Sequence, residues 1–258
     1  MKLKMIARTD QEITRIREAG ACAAWVLDQV KRAVEPGVST YDLDQIAKKF
    51  MEESGAVSST YGYGRKGNEF PAYMCVSVNE QLVHGIGNKG KILKEGDIVS
   101  LDVALNYNGF VGDNTCTVGL GELVEPVKNL LTVTEQALQK GIEQAREGNR
   151  VGDISWAIQS FAEKNHLGVV RELVGHGVGR EMHEEPQIPN FGAPHSGPLL
   201  HAGMVIAIEP MLTLGSPAIK TLSDGWTIVT QDGNYCAHFE HTVLITKDLP
   251  EILTSLKN

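Results

Sequence analysis

Cysteine is scarce in this chain of 258 residues, and its four copies form no C-x-x-C pair. Cys22, Cys75, Cys116 and Cys236 are spread along the whole sequence. Such spacing does not suit a zinc ribbon, and it is not the dense disulfide framework of a small secreted protein. The pattern predicts reduced thiols in a cytoplasmic protein.

Long apolar runs and clusters of basic residues are also missing. No run approaches the roughly 18 apolar residues of a membrane span, and the first residues turn polar before the apolar stretch of a signal peptide develops. The net charge is −8, without a visible cluster of Lys and Arg, which argues against a nucleic-acid-binding surface. We therefore expect no membrane attachment and no specific nucleic-acid binding.

Two motifs that would indicate other chemistries are incomplete. The string that begins at His183 is H-E-E-P-Q and not H-E-x-x-H, which excludes a helical zinc site of the thermolysin type. Residues 62–67, GYGRKG, match G-x-G-x-x-G, but Pro71 interrupts the segment that follows. A dinucleotide-binding fingerprint must instead open a helix after a strand. We interpret residues 61–71 as a surface loop that rims a cleft.

Apolar periodicity predicts an α+β fold in a single domain, 1–258. We expect helices at 10–34, 41–54, 125–147 and 153–165. Strand-like runs lie at 72–78, 98–107, 109–119, 169–174, 204–214, 226–230 and 235–246. The Asn108–Gly109 pair between two of these runs is a strong hairpin signal.

The two halves of the chain resemble each other. A predicted helix pair comes first in each half, followed by a strand: EGDIVSLDV at 95–103 and AGMVIAIEP at 202–210. Each strand carries a glycine six residues before an acidic residue, which is Asp102 in the first half and Glu209 in the second. Such an echo indicates a duplicated unit. We expect two pseudo-symmetric halves, about 10–120 and 121–250, whose acidic residues converge on one cleft.

Four carboxylates and one histidine stand in or beside strand-like apolar runs: Asp102, Asp113, His176, Glu209 and Glu240. Burying a carboxylate is unfavourable unless its charge is compensated. Four negative charges balance two divalent cations, and such a pair can polarise a carbonyl and activate water. Oxygen ligands with one imidazole and no thiolate suit Mn, Fe, Co or Zn better than copper. The pattern predicts a two-metal hydrolase.

The predicted hairpin brings two of these carboxylates together. Asp102 lies six residues before Asn108, and Asp113 lies four residues after Gly109. Residues at equal distances from a two-residue turn face each other across an antiparallel pair. Because the two distances differ, we expect a β-bulge to bring the two carboxylates to the same site.

Several strings resemble those of the bacterial, short-type methionine aminopeptidases of the M24 metallopeptidases. They are SVNEQLVHG, GDIVSLDV, GFVGDNTCT, GHGVGREMHEEP, AIEPM and EHTVLIT, and the resemblance covers nearly the whole chain. It implies the pseudo-two-fold pita-bread α+β fold, an antiparallel sheet covered by two helix pairs. It also implies removal of the initiator methionine from nascent polypeptides, at the ribosome and preferentially before a small second residue, by a monomeric enzyme.

The resemblance implies roles for the five candidate ligands. Asp113 and Glu240 would bridge two divalent ions, Asp102 would serve one ion, and His176 with Glu209 would serve the other. Glu209 also matches the carboxylate that shuttles the proton, a role that suits a group beside an activated water.

The resemblance also implies a set of residues around the substrate. His183 would stabilise the oxyanion at the scissile carbonyl, and His84 would contact the substrate backbone. Phe70, Cys75 and Trp226 would line the methionine pocket. The remaining histidines are interpreted as structural or exposed: His166, His195, His201, His238 and His241.

Two alternatives remain at this point. X-Pro aminopeptidases and prolidases share the fold and the ligand set, but they usually carry a large N-terminal domain, whereas the first helix is expected near residue 10. A non-catalytic binding protein on the same fold would typically lose ligands, whereas all five are present. Only 33 residues separate His176 from Glu209, so the helical insert of the long-type enzymes is not expected.

Overall fold

The computed structural model describes residues 8–256. Its helices are α1 (Asp10–Arg32), α2 (Thr40–Ser54), α3 (Glu125–Gln144) and α4 (Val151–Lys164). Its strands are β1 (Val57–Ser58), β2 (Gly64–Arg65), β3 (Asn68–Glu69), β4 (Cys75–Val78), β5 (Gln81–Val83), β6 (Ile98–Tyr107), β7 (Phe110–Gly119), β8 (Gly168–Val169), β9 (Val174–Gly177), β10 (Glu184–Pro189), β11 (Val205–Ile208), β12 (Met211–Thr213), β13 (Ile219–Thr221), β14 (Ile228–Thr230), β15 (Cys236–His238), β16 (Glu240–Leu244) and β17 (Glu251–Ile252).

The four predicted helices are confirmed, and their ends differ from the predicted ends by at most three residues. In α2 the shift has a clear cause, because Ser39 caps the helix: its hydroxyl accepts from the backbone N–H of Asp42, whose carboxylate in turn accepts from Ser39. This capping box fixes the first helical residue at Thr40. At the other end Gly55 adopts a left-handed conformation, with φ of 76°, and ends the helix.

A nine-stranded antiparallel sheet forms the centre of the molecule. Its main path runs β1-β6-β7-β16-β11-β9-β10, and β4 and β17 pair with β6 and β16. Because side chains alternate along a strand, Leu101 and Val103 of β6 join the core beneath α1 and α2, whereas Asp102 faces the other way. Ile206 and Ile208 of β11 join a second core beneath α3 and α4. Each helix pair therefore covers its own part of the sheet, as predicted.

The β6–β7 hairpin confirms the turn at Asn108–Gly109 and contradicts the predicted bulge. Both turn residues have positive φ, 52° and 83°, as a type I′ turn requires. The register is continuous from Tyr107 opposite Phe110 to Ile98 opposite Gly119. The expectation of a bulge was wrong because the two aspartates need not face each other directly to share a site.

Two predicted strands are broken where the chain passes between sheets. The run at 204–214 divides into β11 and β12 at Glu209–Pro210, and the run at 235–246 divides into β15 and β16 at Phe239. Strands β12 and β15 belong to a separate three-stranded sheet with β8. Proline lacks a backbone N–H and cannot continue the ladder. Glu209 is therefore placed at a corner between two sheets.

Other elements differ from the sequence expectations. The segment interpreted as a loop contains a small exposed hairpin, β2–β3, and β10 and β13 were not predicted. Of the run expected at 169–174, only Val169, the end of β8, and Val174, the start of β9, are in strands, and these two strands belong to different sheets. Among the helices of residues 8–256, none has the length and apolar character needed to cross a bilayer.

Candidate metal centre

Five adjacent strands each bring one candidate ligand to a single cavity of about 170 Å³. In sheet order, the ligands are Asp102 on β6, Asp113 on β7, Glu240 on β16, Glu209 directly after β11, and His176 on β9. The side chains predicted to surround the substrate line the same cavity: Phe70, Cys75, His84, His183 and Trp226. The fold thus brings together every side chain that the sequence predicted for the site.

The hairpin register places Asp102 and Asp113 on one face. Asp102 pairs with Thr115, and Asp113 pairs with Ala104. Paired residues share a face, as do residues two apart on one strand. The two aspartates are therefore diagonal neighbours and not direct partners. Thr115 also pairs with Glu240 on β16, so one row across three strands carries Asp102, Thr115 and Glu240.

Ligand atoms of Asp113, His176 and Glu240 all lie within 4.8 Å of one another, and all three residues are buried. Nε2 of His176 lies 3.4 Å from Oε1 of Glu209 and 3.8 Å from Oδ2 of Asp113. Thr115 donates its hydroxyl to Oε2 of Glu240 at 2.8 Å, whereas Oε1 of Glu240 is buried without a hydrogen-bond partner among residues 8–256. A buried carboxylate oxygen without a partner is expected where a cation binds.

His176 presents one ring nitrogen to the carboxylates. Its Nδ1 lies 3.0 Å from the carbonyl oxygen of Gly177. In the neutral ring, Nδ1–H donates a hydrogen bond to this oxygen, and Nε2 keeps its lone pair free. Burial, with a contribution from His183, lowers the pKa of His176 to about 3. A neutral imidazole is the form that coordinates a metal ion.

The four carboxylic acids of the cavity all have raised pKa values. Burial is the main cause in each, and the neighbouring carboxylates add to the rise for Asp113, Glu209 and Glu240. Burial also raises the pKa of Asp102, with a partial offset from His238. Like charges this close favour protonation unless cations compensate them. The donor set therefore fits divalent metal ions, because they would replace the protons.

Two further histidines, His183 and His84, line the same cavity. The ring centroid of His183 lies 4.4 Å from that of His176, and the hydroxyl of Tyr63 lies 2.8 Å from Nδ1 of His183. His84 has a left-handed backbone, with φ of 57°, and its carbonyl oxygen accepts from the hydroxyl of Thr227 at 3.4 Å. Burial lowers the pKa of both histidines, to about 4 for His84. At neutral pH both rings can therefore donate one N–H.

The residues predicted for the methionine pocket form one apolar cluster. Phe70 and Cys75 are buried together, and Trp226 packs against them with its ring centroid 5.3 Å from that of Phe70 in an edge-on arrangement. Trp226 also covers Gly64 of the β2–β3 hairpin, where an added Cβ would lie 2.8 Å from the indole ring. The hairpin is thus packed onto the wall of this pocket.

Tyr63 and His238 are among the cavity residues that were not assigned to it from the sequence. Tyr63 lies on a segment that has no periodicity, so only its hydrogen bond to His183 identifies it. His238 was interpreted as structural or exposed, but it is 3% exposed and its Nε2 lies 3.5 Å from Oε2 of Glu209. The alternation of faces gave a usable signal, because His238 precedes the ligand candidate Glu240 by two residues.

Comparisons with known proteins agree with this site. The model of metallopeptidase family M24 matches residues 14–247. Methionine aminopeptidase 1 of Bacillus subtilis is 48% identical over 250 residues, 97% of this chain and 99% of the relative. The crystal structure of methionine aminopeptidase from Thermotoga maritima is 43% identical with a TM-score of 0.94, and the match covers 98% of this chain and 100% of that one.

A more distant structure shows the fold alone. The Xaa-Pro dipeptidase from Bacillus anthracis has a TM-score of 0.77 at 22% identity, and the match covers 98% of this chain and 63% of that one. The predicted pita-bread fold is therefore confirmed. With these sequence and structural relatives, the chain belongs to metallopeptidase family M24, in the group of bacterial methionine aminopeptidases.

Proposed function

We propose that this protein is a metal-dependent aminopeptidase that removes the N-terminal methionine of polypeptides, preferentially when the second residue is small. The observation that carries the proposal is the position of the apolar cluster of Phe70, Cys75 and Trp226 beside the carboxylate centre in one cavity. An apolar pocket therefore adjoins a centre suited to hydrolysis. Relatives over the full length of the chain bear the name methionine aminopeptidase.

The proposed cofactor is a pair of divalent ions, drawn from Co, Mn, Fe and Zn. Asp113 and Glu240 would hold both ions, Asp102 would hold one, and His176 with Glu209 would hold the other. When bound, the ions supply polarisation of the scissile carbonyl and a lower pKa for the attacking water.

The remaining steps use side chains of the cavity. Glu209 would take the proton of the attacking water and deliver it to the leaving amine, because a carboxylate beside an activated water can accept and release a proton. His183 would donate a hydrogen bond to the carbonyl oxygen as negative charge develops there. His84 would donate to the substrate backbone at the scissile amide and hold it in register with Glu209.

The domain organisation and the cellular setting belong to the same proposal. We infer one catalytic domain, 1–258, with halves at about 10–120 and 121–250. Its substrates would be the N-termini of nascent polypeptides in the cytoplasm, at the ribosome. The net charge of −8 is consistent with no specific nucleic-acid binding. We further infer that the enzyme acts as a monomer.

A peptide panel tests the function. Peptides that begin Met-Ala, Met-Leu, N-acetyl-Met-Ala and Ala-Pro are incubated with the purified protein and Mn, Fe, Co or Zn. We expect cleavage of the Met-Ala peptide, slower cleavage of the Met-Leu peptide, and none of the acetylated peptide. Faster cleavage of the Ala-Pro peptide would favour the X-Pro alternative, and no cleavage with any metal would favour a non-catalytic protein.

A further inference from the structure

His238 is held rigidly at the end of β15. Its backbone N–H donates to the hydroxyl of Thr117 at 3.0 Å, and that hydroxyl donates to the carbonyl oxygen of His238 at 2.7 Å. On the other side, His238 pairs with Met211 of β12. The residue is 3% exposed. The imidazole therefore cannot turn out to solvent, and its direction into the cavity is fixed by the backbone.

The polar atom at the tip of this ring lacks a partner. Nε2 of His238 is buried and has no hydrogen bond among residues 8–256. It lies 3.5 Å from Oε2 of Glu209, just beyond a normal hydrogen bond. A buried polar group without a partner is unfavourable, so a small rotation of either side chain that closes this gap would be favoured.

Glu209 is thus approached from two sides. Oε1 lies 3.4 Å from Nε2 of His176, within the group of candidate ligands, whereas Oε2 lies 3.5 Å from His238. The two oxygens of Glu209 therefore face different partners: Oε1 faces His176, and Oε2 faces His238.

We propose that His238 is a positioning residue for Glu209: its Nε2–H holds Oε2, so that Oε1 is directed at the metal centre. Glu209 needs this support because it stands at the corner between two sheets, where β11 has ended and Pro210 follows. Among residues 8–256, its backbone carbonyl oxygen accepts from Asn190 at 3.0 Å, which fixes the main chain but not the carboxylate. The inference rests on the proposed function, because it deepens the role given there to Glu209.

The test compares two substitutions at this position with one on the opposite face. His238→Met keeps apolar volume and loses the donor, whereas His238→Gln keeps a donor. His241→Met is the matched control, because His241 lies on β16 and its Nδ1 is 3.0 Å from the hydroxyl of Thr254, outside the cavity. Each protein is titrated with Co(II), its visible absorption spectrum is recorded, and kcat and KM are measured with a Met-Ala peptide.

We expect His238→Met to lower kcat about tenfold to a hundredfold, the scale of a misplaced catalytic group, with KM within twofold of the original protein. Its Co(II) spectrum should change while the number of ions bound stays the same. His238→Gln should restore both kcat and the spectrum, and His241→Met should alter neither. If His238→Met does not fold, His238→Asn, whose amide is too short to reach Glu209, replaces it with the same expectation.

Two results would overturn the proposal. An unchanged kcat and spectrum in His238→Met would show that Glu209 needs no such support. Loss of bound Co(II) in both His238→Met and His238→Gln would make His238 a ligand instead. The spectrum also separates this inference from the function: if the original protein cleaves no methionyl peptide but the spectra behave as expected, only the proposed function fails.

Discussion

The hydroxyl of Tyr63 lies 2.8 Å from Nδ1 of His183. When Tyr63 donates this hydrogen bond, the single proton of the neutral ring resides on Nε2, the atom that would donate to a substrate carbonyl. Tyr63 is 42% exposed and immediately precedes the β2–β3 hairpin. The segment interpreted as a surface loop that rims a cleft therefore sets the orientation of a residue in the cavity.

Replacing Tyr63 tests this relationship. We expect Tyr63→Phe to lower kcat for a Met-Ala peptide about threefold to tenfold, the effect of about 1 kcal/mol for one hydrogen bond, because the His183 ring loses its fixed tautomer. Tyr61→Phe is the control, since the Tyr61 ring stacks on Tyr73 with centroids 4.5 Å apart and lies outside the cavity. Equal kcat values for Tyr63→Phe and the unaltered protein would contradict the role of this hydrogen bond.

Removing the imidazole of His183 should lower kcat more than Tyr63→Phe does. We expect His183→Ala to lower kcat about a hundredfold to a thousandfold, as the loss of one oxyanion donor does, and to leave the number of bound metal ions unchanged. Steady-state kinetics measures kcat, and isothermal titration with Mn measures the number of bound metal ions. Because His183 is proposed to contact the substrate and not the metal ions, a loss of metal binding in this variant would place it among the ligands.

Replacing Glu240 should have opposite effects on the free energy of unfolding with and without metal. In protein treated with a chelator, we expect Glu240→Gln to raise the free energy of unfolding, because it removes one of four buried carboxyl groups that repel one another. With Mn present, the unaltered protein should gain about 2.7 kcal/mol at a metal concentration 100 times the Kd, and the variant should gain less and lose its activity.

Urea unfolding with and without Mn measures these differences. Asp102→Asn should behave in the same way. Glu143→Gln, an exposed substitution on α3, is the control. It should change neither the free energy of unfolding without metal nor the gain on adding Mn. If Glu240→Gln gains as much from Mn as the unaltered protein, Glu240 is not a ligand.

His241 should make stability depend on pH. Burial lowers its pKa in the folded protein from an ordinary 6.5 to about 4. Between these values the unfolded chain binds the extra proton, so the free energy of unfolding falls as the pH decreases from 6.5 towards 4. The largest contribution of one such group is about 1.4 kcal/mol per pH unit.

We therefore expect His241→Gln to flatten this acid dependence, while kcat at pH 7.5 remains unchanged because the side chain faces away from the cavity. Urea unfolding at pH 7, 6 and 5 provides the measurement. The comparison with the unaltered protein removes the contributions of the other titrating groups. If the free energy of unfolding depends on pH in the same way in both proteins, His241 is not neutral in the folded state at pH 5.

Several parts of the fold could be predicted because the signal is local. The four helices and the two-residue turn at Asn108–Gly109 depend on residues within a few positions of each other. The strand ends inside 204–214 and 235–246 could not be predicted, because they lie where the chain passes from one sheet to another. Whether Glu209 continues a strand or ends it depends on which strands are its neighbours, and that is a long-range property.

The sequence by itself determined the residue types of the site and the family, because carboxylates in apolar runs are tolerated only where charge is compensated and because the strings around them extend along nearly the whole chain. The tertiary structure decided the arrangement. Strand order β6-β7-β16-β11-β9 places five residues, distant in sequence, side by side, and it brings His238 against Glu209. Strand pairing joins segments by register across space, so the neighbours of a buried side chain are fixed only when the sheet is formed.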